Sequence, residues 1–217
     1  MRKNKFNIIY LLFMLVMFVA CSEDGLVDEN GDGSGSLAHE YTLTTNNTYQ
    51  FTVGEDTVAG DLRMLNSLNN DLYLSLDLGF GSGGIILPKK TGNFKSGYDF
   101  GPANGTEGNN AYLNVFLTYK GEKYYAYSSH AYGYREQDLI PDSECRITIK
   151  KFEGDYKIVE IMGMSGYGRY TLFMGDVEVL FEGTFKTKDG SKSIDVKKGQ
   201  IKAFDEPNGT TVRYPEN

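Results

Sequence analysis

The segment DLYLSLDLGF at residues 71–80 alternates leucines with polar or tyrosine side chains. Leu72, Leu74, Leu76 and Leu78 fall on one side of this two-residue period, which is typical of a β-strand with one buried face. A glycine-rich stretch, GSGG at 81–84, follows directly and favours a turn. The chain must therefore build a sheet here and cover a face of leucines.

Similar short segments with turn residues between them continue almost to the C-terminus. They are TYQFTV (48–53), IIL (85–87), AYLNVFLTY (111–119), KYYAYSS (123–129), CRITIKKF (145–152), YKIVEIMGM (156–164), VEVLFEGTFKT (177–187), KSIDV (192–196) and GQIKAF (199–204). Lys120-Gly-Glu122 predicts a hairpin between two of them. GDY (154–156), KDGSK (188–192) and KKG (197–199) predict turns between the last five.

About ten short strands of this kind predict an all-β fold. The only candidate helix is a turn or so around DLRMLNSLNN (61–70). We expect a single antiparallel domain over residues 41–217, built as a β-sandwich or a β-barrel. The pattern leaves these two architectures open.

The N-terminus has the three parts of an export signal. Arg2, Lys3 and Lys5 precede an apolar stretch at 6–20, which is shorter than the ~20 residues that span a bilayer. FVAC (18–21) resembles the bacterial lipobox, although Phe18 stands where leucine is usual. Residues 1–20 are therefore predicted to be a signal peptide and Cys21 the lipidated residue. An ordinary secretion signal with a chance cysteine and an uncleaved anchor are the alternatives.

The acidic, Gly- and Ser-rich segment 21–40 predicts a flexible tether, because it has too few apolar residues to form a core. Asp28 to Gly33 matches the first half of a calcium loop, but His39 stands at position twelve, where a bidentate glutamate belongs. We therefore predict no metal site. With Cys21 lipidated, Cys145 has no disulfide partner, and its position predicts a small, partly buried residue at the start of a strand.

The chain carries a formal charge of −7 and has no basic cluster. Since nucleic-acid binding needs a basic surface, a nucleic-acid partner is not expected. The two histidines, His39 and His130, have no metal-ligand or nucleophile spacing around them. We predict neither a cofactor nor an enzyme activity, with a hydrolase as the less favoured alternative.

The most unusual stretch is YKGEKYYAYSSHAYGY at 119–134. Tyrosine combines an apolar ring with a hydroxyl group, which suits contact with sugars or proteins. Tyrosine is also simply a favoured strand residue. Strand alternation predicts Tyr125 and Tyr127 on one face and Tyr124 on the other. The candidate binding patch consists of Tyr119, Tyr124, Tyr125, Tyr127, Tyr132 and Tyr134.

The C-terminal third resembles a family of outer-membrane lipoproteins of the Bacteroidetes. The pattern is carried by residues of three strands: Ile147, Thr148 and Ile149, then Gly183, Thr184 and Phe185, then Ile194, Val196, Gly199 and Ile201. The upstream segment LPKKTGNFKSGYDFG (87–101) also resembles the family, whereas 132–144 and 164–176 are longer than its pattern. The resemblance implies a β-rich extracytoplasmic domain.

In the same bacteria, acids directly after the lipidated cysteine resemble a surface-export signal, here Ser22, Glu23 and Asp24. The alternative is that these residues only solvate the tether. We therefore expect an outer-membrane lipoprotein exposed at the cell surface, held in the outer membrane by its lipid. Its expected function is binding or adhesion, with a glycan, a peptide or an envelope protein as ligand. A structural envelope lipoprotein and a carrier of lipophilic ligands are the alternatives.

Overall fold

The computed structural model describes residues 35–65, 73–79, 81, 83–102, 110–130, 136–163, 166–205 and 212–213. These residues form thirteen β-strands and one short 3-10 turn at Glu136–Asp138. The strands are β1 Thr48–Val53, β2 Asp56–Leu65, β3 Tyr73–Leu78, β4 Gly83–Pro88, β5 Gly92–Lys95, β6 Asp99–Pro102, β7 Asn110–Tyr112, β8 Val115–Tyr119, β9 Glu122–Ala126, β10 Glu144–Gly163, β11 Gly166–Lys186, β12 Ser193–Asp205 and β13 Val212–Arg213. The all-β prediction is confirmed.

The main sheet closes on itself as an antiparallel barrel. Its strands follow the order β12-β1-β2-β3-β4-β8-β9-β11, and β11 pairs again with β12. Closure rests on the long antiparallel pairing of β1 with β12, between Thr48–Val53 and Val196–Lys202. Of the two architectures that the sequence left open, the structure is therefore the barrel-like one.

Two of the barrel strands are interrupted. On β11, Lys186 pairs with Tyr125 of β9 and Thr184 pairs with Glu144 of β10, so β9 and β10 occupy the same edge one after the other. In the same way, β8 pairs with β9 and β5 pairs with β10. Strands β9 and β10 together therefore make one composite strand of the barrel, and β5 and β8 make the composite strand next to it. Each composite strand leaves the sheet and returns to it. We call residues 96–114 the first excursion and residues 127–143 the second excursion.

Large apolar side chains fill the inside of the barrel. Phe51, Phe94, Phe173, Phe181 and Phe185 are each at most 1 % exposed and belong to one core cluster. Burying a side chain of this size contributes roughly 1.5–3 kcal/mol. The closed sheet is therefore held by an aromatic and aliphatic core, as expected of a small barrel.

Glycine stands opposite an aromatic residue where a ring needs room. Gly199 pairs with Phe181, and a Cβ on Gly199 would lie 2.7 Å from the Phe181 ring. Gly84 pairs with Phe116 in the same way, with 2.4 Å between the added Cβ and the ring. The ring covers the strand surface that glycine leaves bare, an arrangement that pins strand register.

Three local predictions were wrong. Residues 61–65 belong to β2 rather than to a helix, and 66–70 lie outside the described residues. Residues 154–156 are no turn, because β10 runs straight through Gly154, which pairs with Gly175. Residues 197–199 form a bulge within β12, where Lys198 adopts a φ of 50°. The hairpin at Lys120-Gly121 and the turn at 188–192 are confirmed.

Residues 37–43, here called the strap, cross the outer face of the barrel over β10 and β12. The backbone N–H of buried Leu37 donates to the Thr148 hydroxyl at 3.0 Å. The side chain of Gln200, 4 % exposed, accepts from the N–H groups of Thr42 and Leu43 and donates to the Glu40 carbonyl. The end of the segment predicted as a tether is thus fastened to the sheet.

The predicted lipidation residue Cys21 and export signal Ser22, Glu23 and Asp24 lie outside the described residues. In the part of the chain that is described, no helix has the length and apolar character needed to cross a membrane.

Candidate binding surface

The candidate surface lies on the outer wall of the barrel where the two excursions leave neighbouring composite strands. β8 and β9 carry one aromatic pair, Phe116 and Tyr125, on their outer face. The second pair lies in the two excursions, because Tyr112 belongs to β7 and Tyr127 follows the end of β9. A buried polar network lies between the excursions. We call Tyr112, Phe116, Tyr125 and Tyr127 the aromatic strip. All four side chains are partly exposed.

The first pair consists of Phe116 and Tyr125, which stand opposite each other in the β8–β9 register. Their ring centroids are 6.1 Å apart and their planes differ by 29°. The Phe116 ring lies over Gly84, and the Lys123 ammonium group lies 5.5 Å from its centroid. The pair therefore forms a partly exposed aromatic surface with a cation over one of its rings.

The second pair consists of Tyr112 and Tyr127, with ring centroids 5.9 Å apart and an interplanar angle of 43°. Tyr127 has a φ of 96°, a strained conformation for a residue with a side chain. The surrounding structure holds it there. Its N–H donates to the Ser143 hydroxyl, its carbonyl accepts from the N–H of Ile140, and its ring lies against Gly97.

A buried polar network ties the second excursion to the wall. The Asn114 side chain, 4 % exposed, donates to the carbonyls of Ser128 and His130 and accepts from the N–H of Ser128. The imidazole Nδ1 of His130 lies 3.3 Å from the carboxylate of buried Asp138. Because buried amides and carboxylates are costly to leave unpaired, this network fixes where the chain leaves the sheet.

The structure separates the six predicted tyrosines. Tyr124 is 7 % exposed and belongs to the core, on the side opposite Tyr125, so the predicted alternation of these two is confirmed. Tyr119 packs on the core and donates its hydroxyl to Asp56. Tyr127 lies beyond the end of β9, and Tyr132 and Tyr134 are outside the described residues. Only Tyr125 and Tyr127 belong to the strip.

Sequence reasoning missed four residues of this surface. Phe116 could have been found, because the Lys120-Gly121 turn fixes the hairpin register and makes Phe116 the partner of Tyr125. Tyr112 and Asn114 follow from the two-residue period of the same segment. Nothing in the sequence pointed to Asp138, whose pairing with His130 depends on the path of the second excursion.

The surface holds few groups with catalytic character. His130 and Asp138 have the geometry in which a carboxylate orients an imidazole. The Ser128 hydroxyl accepts from the backbone N–H of His130. Burial raises the pKa of the Cys145 thiol, which is fully buried and therefore unsuited to act as a nucleophile. Among the described residues, no group of three or more His, Cys, Asp and Glu side chains is arranged to hold a metal.

Comparison with known proteins finds no matching family model, no matching curated protein and no matching solved structure. The resemblance to Bacteroidetes lipoproteins stays a prediction. The surface has to be interpreted from its own chemistry.

Proposed function

We propose that this chain is a surface-exposed, lipid-anchored binding or adhesion accessory protein of the bacterial envelope, and that the aromatic strip is its contact surface. The observation that carries the proposal is the pairing of Phe116 with Tyr125 on the outer face, where both rings are partly exposed and their centroids lie 6.1 Å apart. Aromatic side chains supply large contact areas at low entropic cost, which is why they dominate binding hot spots.

The inside of the barrel supports surface binding over carriage of a lipophilic ligand. Eight-stranded barrels either enclose a small ligand or fill their interior with side chains. Here Phe51, Phe181 and Phe185 are buried in the core cluster together with leucines and valines. The space that a cargo would need is thus occupied by the core.

The strap supports a tethered arrangement. It is fastened over β10 and β12, whereas the first aromatic pair of the strip lies on β8 and β9. A chain pulled from Cys21 would thus meet the domain over other strands than β8 and β9. In this proposal the anchor and the contact surface do not compete for the same strands.

The binding proposal is tested with Tyr125→Ala in a screen of glycans and envelope proteins. We expect at least a tenfold loss of affinity for the ligand found, since Tyr125 would be a central contact. The matched control is Phe204→Ala, which removes another partly exposed aromatic side chain, on the outer face of β12. Equal binding by wild type and Tyr125→Ala would point to a structural envelope lipoprotein instead.

The anchor is tested separately with Cys21→Ala. Loss of fatty-acid labelling and release from the membrane fraction are expected. A variant that stays in the membrane and is labelled as before would contradict lipidation at Cys21. Protection of the domain from protease on intact cells would contradict surface exposure.

A further inference from the structure

We infer that the ligand of the aromatic strip is an acidic oligosaccharide, with a sugar ring on Phe116 and Tyr125 and its carboxylate at Lys123. This inference rests on the proposed binding function and adds the chemical class of the ligand. It follows from the charge next to the strip, the shape of the strip and the pairing of the strands beneath it.

Lys123 has an exposed side chain. Its ammonium group lies over the Phe116 ring, 5.5 Å from the ring centroid, and donates to the Gly81 carbonyl at 3.4 Å. It contacts no carboxylate among the described residues. Neighbouring lysines on this side of the barrel are each neutralised by a partner. The pairs are Lys120 with Asp56, Lys186 with Asp142 and Lys192 with Glu122.

Within the described part of the chain, Lys123 is therefore a cation with no carboxylate partner, on a protein whose formal charge is −7. An anionic group that docks on the first aromatic pair would supply the missing partner. A neutral ligand would form no ion pair with Lys123, and a cationic ligand would be repelled by its charge.

The planes of the Phe116 and Tyr125 rings differ by 29°, and the Phe116 ring covers the bare backbone of Gly84. The C–H face of a pyranose ring packs on exposed aromatic rings, while its hydroxyl and carboxylate groups at the ring edge stay within reach of polar side chains. The first aromatic pair thus suits one sugar unit.

The second aromatic pair suits a longer ligand. Tyr127 lies two residues beyond Tyr125 along the chain, and Tyr112 lies four residues before Phe116. At about 3.3 Å per residue the two pairs are separated by roughly 7–13 Å. An oligosaccharide can reach both pairs, whereas a single sugar cannot.

The strand pairing disfavours an extended peptide. Peptides commonly bind barrels and sheets by adding a strand to a free edge. At Phe116, β8 pairs with β4 on one side and with β9 on the other, so the backbone at this residue offers no free edge. A ligand of the strip must bind through its side groups on the flat outer face.

The test measures binding of three probes to the full-length lipoprotein in detergent by isothermal titration calorimetry. The probes are a galacturonic acid hexamer, its carboxyl-reduced neutral counterpart and a glutamate hexamer peptide. We expect the acidic saccharide to bind about three- to fivefold more tightly than the neutral one, the range of one exposed ion pair. The glutamate peptide should bind more weakly than either saccharide.

Lys123→Met keeps the apolar stem and removes the charge. It should abolish the preference, so that the acidic and the neutral hexamer bind with equal affinity. Lys95→Met, which removes another exposed lysine, should keep the preference. Circular dichroism checks that both variants retain the strand signal of the wild type.

The outcomes separate this inference from the proposed function. Equal affinity for the two saccharides, a preference that survives Lys123→Met, or tighter binding of the glutamate peptide would overturn the acidic-saccharide inference. Absence of binding by both saccharides would overturn it as well. The binding function itself would stand as long as Tyr125→Ala weakens the interaction with a ligand from the screen, and would fall if it does not.

Discussion

The two sides of the barrel differ in the continuity of their strands. β11, β12 and β1 are continuous strands with long antiparallel pairings, and we call them the continuous wall. The composite strands β5 with β8 and β9 with β10 leave the sheet halfway, and we call them the interrupted wall. The aromatic strip, the strained Tyr127 and the buried network around Asn114 all belong to the interrupted wall.

This difference indicates a division of labour between stability and binding. The continuous wall supplies the core side chains Val179, Phe181 and Ile201, and its outer face is covered by the strap. A surface made of excursions requires strained and polar positions, which cost free energy. The barrel tolerates them on one wall because the other wall closes the sheet.

The difference between the two walls is tested most strongly by Phe181→Ala on the continuous wall. Phe181 is fully buried and contacts Gly199, and its ring centroid lies 6.1 Å from that of the tilted Phe51 ring, so its removal leaves a cavity. We expect a loss of about 3–5 kcal/mol in the free energy of unfolding, measured by urea denaturation. Tyr125→Ala on the interrupted wall should cost less than about 1 kcal/mol. Similar losses for the two variants would contradict the division of labour.

Asn114→Ala tests the interrupted wall itself. The variant removes three side-chain hydrogen bonds and leaves buried backbone groups of Ser128 and His130 without their partner. We expect a loss of about 1–3 kcal/mol and faster hydrogen exchange at 128–130. Asn110→Ala, which removes an exposed amide on β7, is the control. If exchange at 128–130 is unchanged, Asn114 does not hold the second excursion.

Gln200→Ala tests the strap on the continuous wall. Gln200 fastens Thr42 and Leu43, but Thr42 is exposed, so water can replace part of the lost bonding. We expect a loss of about 1 kcal/mol and faster exchange at these two amides. Gln50→Ala is the matched control, because Gln50 faces Gln200 in the β1–β12 register. Unchanged exchange in Gln200→Ala would show that the strap is held by other contacts.

In both walls, the sequence predicted where strands lie better than it predicted how far each strand continues. Alternating leucines and the Lys120-Gly121 turn predicted β3 and the β8–β9 hairpin because these depend on neighbours in the chain. Gly154 and Lys198 looked like turn residues, yet both lie inside long strands. Their strands continue because partners on β11 and β1 hold them, and such distant pairings leave no local signal.

Only part of the candidate site was predicted, because contacts between residues far apart in the chain leave no local signal in the sequence. The two-residue period separated Tyr125 from buried Tyr124. It could not separate Tyr119, which packs on the core, from a surface tyrosine. The pairing of His130 with Asp138 depends on how the second excursion folds back, so no spacing rule could have found it.

The weakest effect is expected at the turn that joins β11 to β12 in the continuous wall. Asp189 accepts hydrogen bonds from the Thr187 hydroxyl and from the N–H and hydroxyl of Ser191, and these bonds lower the pKa of its carboxyl to about 2. The folded-state pKa is thus below the ordinary value of about 3.9. The carboxylate stabilises the fold above that ordinary value, and this contribution is lost as the pH falls toward 2.

Asp189→Asn keeps an acceptor oxygen but removes the charge, so it isolates this contribution. The variant should be slightly less stable than the wild type at pH 7, with a constant difference down to about pH 5. Urea denaturation at a series of pH values should show the difference shrinking between about pH 4 and pH 2. Because the turn is exposed, solvent screens the charge and the effect stays below that of Gln200→Ala. A difference that grows on acidification would mean that the carboxylate strains the turn, and that the continuous wall is held by its core without help from its connecting loop.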